Sequence, residues 1–256
     1  MIEFRNIYKT FNKGLINETV VFEDFSLKIE AEEFVSIVGS NGCGKSTLLN
    51  ILCGQIAVDS GQILIDGKDV THQSEYKRAE VIGRVFQDPL KGTCGSMTIE
   101  ENMALADNKN KPYNLTKAVR QERCLYYSDV LKVLEMGIEN KLHVKVGSLS
   151  GGQRQALSLI LACIRENRIL ILDEHTAALD PKTSSTIMKL TDSLVETTTP
   201  KLTAMMVTHN LEDAITHGTR LVMLRQGKVV LDISGEEKKN FGIDQLFSLF
   251  HAPTSK

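Results

Sequence analysis

The spacing of apolar residues changes texture twice along the chain. From Asp24 to Glu30 apolar and polar residues take turns, with Phe25, Leu27 and Ile29 on one side, which predicts a half-buried strand of an antiparallel sheet. Phe34 to Val38 predicts a more buried strand that runs straight into a glycine loop, and Leu48, Leu49 and Leu52 then fall at helical spacing up to Gly54. Gln62 to Val70 predicts a strand closing on an Asp66-Gly67 hairpin turn, and Val81 to Phe86 a further buried strand. Residues 90 to 158 are richer in polar residues and helix formers, with Val130, Leu131 and Leu134 at helical spacing. Beyond them come an apolar helix (Leu157 to Ile164), a buried strand (Arg168 to Glu174) and a helix from 181 to 197. The pattern ends on a strand (Leu202 to His209), a short helix and two strands (Arg220 to Gly227, Lys228 to Ile233). Strands alternating with helices on both sides of a helical insertion predict an α/β domain with a parallel central sheet.

Composition narrows the partners. At 256 residues the chain has room for one large domain or two small ones, and 30 basic against 32 acidic residues give a net charge of -2. That balance argues against a sequence-blind nucleic-acid binder, which carries a basic surplus. Five cysteines, an odd number without paired spacing, fit a reduced compartment better than a disulfide framework. The first residues, MIEFRNIYKTF, are interrupted by charges and do not read as a signal peptide. No apolar run approaches the roughly 18 to 20 residues of a membrane span, so work at a membrane is expected to go through a partner.

Two stretches carry the chemistry. Gly39, Ser40, Asn41, Gly42, Cys43, Gly44, Lys45, Ser46 and Thr47 form a phosphate-binding P-loop between a predicted strand and a predicted helix. Its glycines let backbone N–H groups wrap phosphates, and the helix N-terminus adds a favourable field. Lys45 is expected on the β- and γ-phosphates, Ser46 on Mg²⁺ and Thr47 on the α-phosphate. Cys43, beside Lys45, is a candidate for thiol modification. The second stretch, ILILDE, is a buried strand ending in Asp173, suited to hold Mg²⁺ through water, and Glu174, suited to orient or deprotonate an attacking water.

The LSGGQ stretch, Leu149 to Gln153, resembles the signature motif of ATP-binding cassette (ABC) proteins. The P-loop, Gln87 in VFQDP, the signature, ILILDE, AALD ending in Asp180, and His209 in VTHN follow that family's order along nearly the whole chain. The resemblance implies a P-loop NTPase (RecA-like) core with an N-terminal antiparallel β subdomain and an inserted α-helical subdomain. Residues 1–88 and 159–256 would form the core with its β subdomain, and 89–158 the helical signature subdomain. It also implies ATP and Mg²⁺ as ligands. In that family two cassettes pair head to tail, so Ser150, Gly151, Gly152 and Gln153 would face the γ-phosphate held by a second copy. Phe11 sits where an aromatic stacks on adenine, with Tyr8 as the alternative. Gln87 would sense Mg²⁺ and the attacking water, His209 would bond the γ-phosphate, and Asp180 would shape the site across the dimer.

His175 departs from the pattern, because most of the family has proline after the catalytic glutamate. The DEHTAALD stretch resembles a smaller group of bacterial importer ATPases, sometimes linked to aromatic amino acids; His175 is either neutral filler or acts on Glu174. The reading is therefore the ATP-hydrolysing subunit of an ABC importer for a small solute such as an amino acid. It would sit at the cytoplasmic face of the membrane beneath permease subunits, served by an extracytoplasmic solute-binding protein and without nucleic acid. The alternatives are a soluble ABC ATPase of DNA repair or translation, and an exporter cassette.

Overall fold

The computed structural model describes residues 1–109, 111, 117–165 and 167–251. In chain order its first elements are β1 (Ile2–Phe11), β2 (Thr19–Ile29), β3 (Phe34–Gly39), α1 (Lys45–Cys53), β4 (Ser60–Ile65), β5 (Lys68–Asp69) and α2 (Glu75–Arg78). Then follow β6 (Ile82–Val85), α3 (Ile99–Asp107), α4 (Gln121–Lys132), α5 (Gly151–Cys163), β7 (Ile169–Asp173) and α6 (Pro181–Thr197). The last are β8 (Thr203–Val207), α7 (Leu211–Thr216), β9 (Arg220–Arg225), β10 (Lys228–Ser234), α8 (Gly235–Lys239) and α9 (Ile243–His251). They fall into two compact units: Met1–Ala79 with Lys201–Lys256, and Glu80–Pro200.

In the first unit an antiparallel sheet runs in the order β2-β1-β4-β5. The β1–β2 register shifts between Phe4 and Thr10, and these irregularities explain why β1 shows no clean alternation in the sequence. Phe22 and Phe25 stack at 4.7 Å and Phe4 meets Phe25 edge-on at 6.2 Å, forming the sheet's apolar face. Asp66 and Gly67 both take left-handed backbone (φ 51° and 75°) between β4 and β5, as a tight two-residue hairpin requires. The other strands of this unit follow the order β10-β9-β3-β8, with β3 parallel to both β8 and β9. Every residue of β3 and β8 is buried, in keeping with their near-continuous apolar sequence.

The C-terminal end of α1 is closed from outside its own turn. The buried Arg78 guanidinium donates to the carbonyls of Ile51 (2.7 Å), Leu52 (3.0 Å) and Thr71 (2.9 Å). The last carbonyls of a helix lack the usual i+4 partners; Ile51 O is met by Gly54 N (3.1 Å) as well as by Arg78. Arg78 thereby fixes the far end of the helix that starts at the P-loop.

In the second unit β6 and β7 pair in parallel, Val85 opposite Leu172. The buried Leu157, Leu159 and Ile160 give α5 its apolar side. In α3 and α4, Asp107 accepts from Arg123 (2.9 Å), the buried Tyr127 hydroxyl (3.0 Å) and Lys111 (3.4 Å). Burial is the largest single influence on Asp107 and pushes its pKa up, yet the Arg123 and Tyr127 hydrogen bonds outweigh it and hold the carboxyl below its usual value.

Candidate functional site

β3 ends at Gly39 and α1 begins at Lys45, so the glycine loop joins a buried strand to a helix N-terminus, as its sequence predicts. Gly44 is the N-cap, with φ 109°, and a Cβ there would stand 2.8 Å from the Phe22 ring. No other residue type meets both the left-handed backbone and that approach of β2. Lys45 is buried and donates to the carbonyls of Gly39 (2.6 Å) and Ser40 (3.1 Å), spanning the loop it belongs to. Ser40, Asn41, Gly42 and Ser46 are exposed, and Thr47 is half-buried. Cys43 is 3% exposed, its sulfur 3.9 Å from Lys45 Nζ. Cys43 is thus a buried candidate for thiol modification, which a reagent would reach through the exposed Asn41-Gly42 side of the loop only if the loop opens.

His209 belongs to the same edge. β8 pairs in parallel with β3, Val207 opposite Ile37, so His209 follows the end of β8 on the side of the sheet where β3 ends at Gly39. The side chain is exposed there. Phe11, half-buried at the end of β1, pairs with Thr19 of β2, and Lys9 lies 5.2 Å from its ring. Because β2 also supplies Phe22 beneath Gly44, the end of this sheet and the P-loop share one neighbourhood. Tyr8 is 41% exposed on the same strand.

The second unit gathers the carboxylates. The parallel register of β6 and β7 brings Gln87 to the same sheet edge as Asp173 and Glu174. Gln87 is exposed, while Asp173 and Glu174 are half-buried. Asp173 Oδ2 accepts from Arg84 Nη2 at 2.7 Å, and Arg84 lies over the Phe86 ring at 4.7 Å. Glu174 takes φ 47°, a left-handed backbone unusual for a residue other than glycine. His175 is buried, with Nε2 3.2 Å from Thr191 Oγ1.

The signature forms the first turn of α5. Ser150 is its N-cap: its hydroxyl accepts from Gln153 N (3.2 Å), and Gln153 Oε1 accepts from Ser150 N (3.2 Å). The apolar pattern predicts this helix only from Leu157, because two glycines mask its first turn. Ser150 and Gly151 are exposed, whereas Gly152 faces α6, where a Cβ would stand 2.4 Å from Thr183 Cγ2. Asp180 caps α6 by accepting from Thr183 N at 3.1 Å, and hydrogen bonding from the Thr183 side chain, then from its backbone, lowers the Asp180 pKa. Gln153 also donates to Met136 O at 3.2 Å, so both ends of its side chain serve the turn itself.

Three further residues support these motifs without being signalled by them. Arg154 donates to the carbonyls of Val146 (3.3 Å), Gly147 (3.0 Å) and Leu149 (3.1 Å), holding the strand of chain that enters the signature. Gln155, fully buried, donates to Phe86 O at 3.1 Å, one residue before Gln87. Arg84 is the third. A charge inside an otherwise apolar strand is the one trace it leaves in the sequence.

Residues 22–177 match the sequence model of the ABC transporter family, and the motifs just located lie in or beside that span. The chain belongs to the ABC transporter family. It is an ATP-hydrolysing cassette with the P-loop NTPase fold, an antiparallel β subdomain and helices, as its sequence predicts. It is 46% identical over 98% of both chains to a tyrosine transport ATP-binding protein of Clostridioides difficile. It is 36% identical to a spermidine/putrescine import ATP-binding protein of Haemophilus influenzae, of whose length it spans 59%. Among solved structures, a dimeric bacterial ABC transporter cassette matches with a TM-score of 0.76 and 31% identity, over 91% of this chain and 98% of that one. A dimeric post-hydrolysis cassette bound to ADP and Pi matches with the same TM-score at 30% identity. Among the described residues no helix is long and apolar enough to cross a membrane.

Proposed function

We propose that this cassette powers an importer of an aromatic amino acid, with tyrosine the first candidate. The observation that carries the reading is the 46% identity, over 98% of both chains, to a tyrosine transport ATP-binding protein. The shared length supports a shared role, and His175 in DEHTAALD fits the importer group that the sequence resembles. On this reading two copies close head to tail at the cytoplasmic face, beneath permease subunits served by an extracytoplasmic solute-binding protein. Residues 89–158 act as the helical signature subdomain, and 1–88 with 159–256 as the core.

Each half of the dimer would bind ATP through Gly39 to Thr47, with Phe11 or Tyr8 against the adenine. Ser150, Gly151 and Gly152 of the other copy would complete the γ-phosphate cradle, Gln153 would hold their turn, and Asp180 would border it. Glu174 would take the proton of the attacking water, with His209 bonding the γ-phosphate and Gln87 orienting the water.

The residues present fit Mg²⁺. Asp173 turns one carboxylate oxygen, Oδ2, to Arg84 and is only half-buried. Ser46 offers an exposed hydroxyl at a helix N-terminus, and Gln87 an exposed amide. No group of three or more His, Cys, Asp or Glu suited to a metal occurs among the described residues. That suits an ion held largely by phosphate oxygens and water, as Mg²⁺ commonly is. Bound there, it would neutralise charge on the transferring phosphoryl group.

The test is uptake of labelled tyrosine by cells whose only copy of the cassette carries Glu174→Gln. Tyrosine uptake is expected to fall to background while spermidine uptake is unchanged. Undiminished tyrosine uptake, or loss of spermidine uptake alone, overturns the assignment.

A further inference from the structure

We infer that Arg84 is the resident counter-charge of Asp173 and competes with the divalent cation for that carboxylate, setting how strongly nucleotide and metal bind together. The inference rests on the reading of Asp173 as the residue that holds the metal. Three observations support it. Arg84 Nη2 and Asp173 Oδ2 are 2.7 Å apart, a charge-assisted hydrogen bond of short length. Their side chains are only 11% and 17% exposed, so water screens the pair weakly. The guanidinium also rests on the Phe86 ring at 4.7 Å, a contact that holds the cation in place beside the carboxylate.

The consequence follows from charge. A divalent ion approaching Asp173 either shares the carboxylate with a fixed cation or displaces it, and each costs affinity. Free metal ions are thereby disfavoured at Asp173. An ion that arrives on a nucleotide triphosphate meets the same fixed cation, so Arg84 lowers the gain in nucleotide affinity that the metal supplies. Loss of one charge-assisted hydrogen bond changes an affinity by a factor of about ten or more.

The experiment measures affinity for a fluorescent methylanthraniloyl-ATP in EDTA and in Mg²⁺, on the purified full chain, and takes the ratio of the two dissociation constants. An effect of Arg84 common to both conditions cancels in that ratio, which reports the linkage between metal and nucleotide. Arg84→Met is expected to raise the ratio about tenfold over wild type. Arg84→Lys keeps the charge but loses the planar fork, is the milder change for folding, and is expected to raise it two- to threefold. Asp173→Asn is expected to collapse the ratio toward one, and adding Arg84→Met to it is expected to change nothing more. If Asp173→Asn collapses the ratio while both Arg84 variants leave it at or below wild type, the competition is refuted and the metal reading stands. If Asp173→Asn leaves the ratio unchanged, the metal reading itself fails.

Discussion

His175 Nε2 lies 3.2 Å from Thr191 Oγ1, inside the protein and one residue beyond Glu174. The Thr191 hydroxyl donates its single proton to Ile187 O at 2.9 Å, so in the pair with His175 it accepts, and the imidazole carries its proton on Nε2. The contact joins the loop after β7 to the middle of α6. It does so next to a residue whose left-handed backbone needs support from its surroundings.

His175→Ala is expected to lower stability by about 2 kcal/mol, from the cavity and the lost hydrogen bond together. It is also expected to reduce kcat for ATP several-fold with little change in KM, because Glu174 loses its anchor and no nucleotide contact is removed. Thr191→Val deletes the acceptor together with the hydroxyl's own bond to Ile187 O, keeps the side-chain volume, and should reproduce a smaller part of both effects. Thermal melts and steady-state hydrolysis decide it: an unchanged kcat in a destabilised His175→Ala protein would confine His175 to packing.

Glu174→Gln removes the group assigned to water activation but leaves every phosphate donor in place. Unhydrolysed ATP should then hold two copies together, since a ligand that prefers the closed pair shifts the population toward it. Light scattering is expected to show dimers with ATP and monomers with ADP. Adding Ser150→Arg should abolish the dimer while leaving the melting temperature of the monomer nearly unchanged, because Ser150 is exposed. Monomers in ATP, with binding of ATP demonstrated, would remove the signature from the γ-phosphate.

Gly152→Ala tests the approach of α5 to α6. The added methyl would stand 2.4 Å from Thr183 Cγ2, and a β-branched side chain in the first turn of a helix has little room to rotate away. A cost of about 1–3 kcal/mol is expected, with nucleotide-dependent dimerisation impaired as well. Thr183→Ser removes the offending methyl, so the double variant should recover most of the stability. Additive losses would show that the two side chains do not meet.

Tyr127 gives the cassette an alkaline limit. Burial, followed by the Asp107 carboxylate beside it, pushes its hydroxyl up from 10.0 to about 12. A folded pKa above the unfolded one contributes stability that is complete below pH 10 and is lost as pH climbs toward 12. Wild type is therefore expected to lose melting temperature across that window faster than Tyr127→Phe. The variant begins lower, by about 1 kcal/mol for the missing hydrogen bond to Asp107. Parallel melting curves over the window would refute the assignment.

The chemistry was legible where it depends on neighbours in sequence. The P-loop, ILILDE and the Asp66-Gly67 turn each occupy a few consecutive residues, and the structure places each at the strand end or turn that its spacing requires. What joins these motifs was not legible. Arg84 meets Asp173 only because β6 and β7 take one particular register, and Thr191 meets His175 across a loop and most of a helix. Cys43 is buried with Lys45 Nζ 3.9 Å from its sulfur, a contact that the order of residues does not encode locally.

The hydrogen bond from Gln155 to Phe86 O turns α5 into a lever. Its fulcrum is the end of β6, just before Gln87, and its tip is Ser150, five residues away along a helix that advances about 1.5 Å per residue. A tilt of about 10° at the fulcrum sweeps the tip through more than 1 Å, enough to make or break contact with a phosphate. A displacement imposed near Gln87 would, on this geometry, be carried along α5 to Ser150.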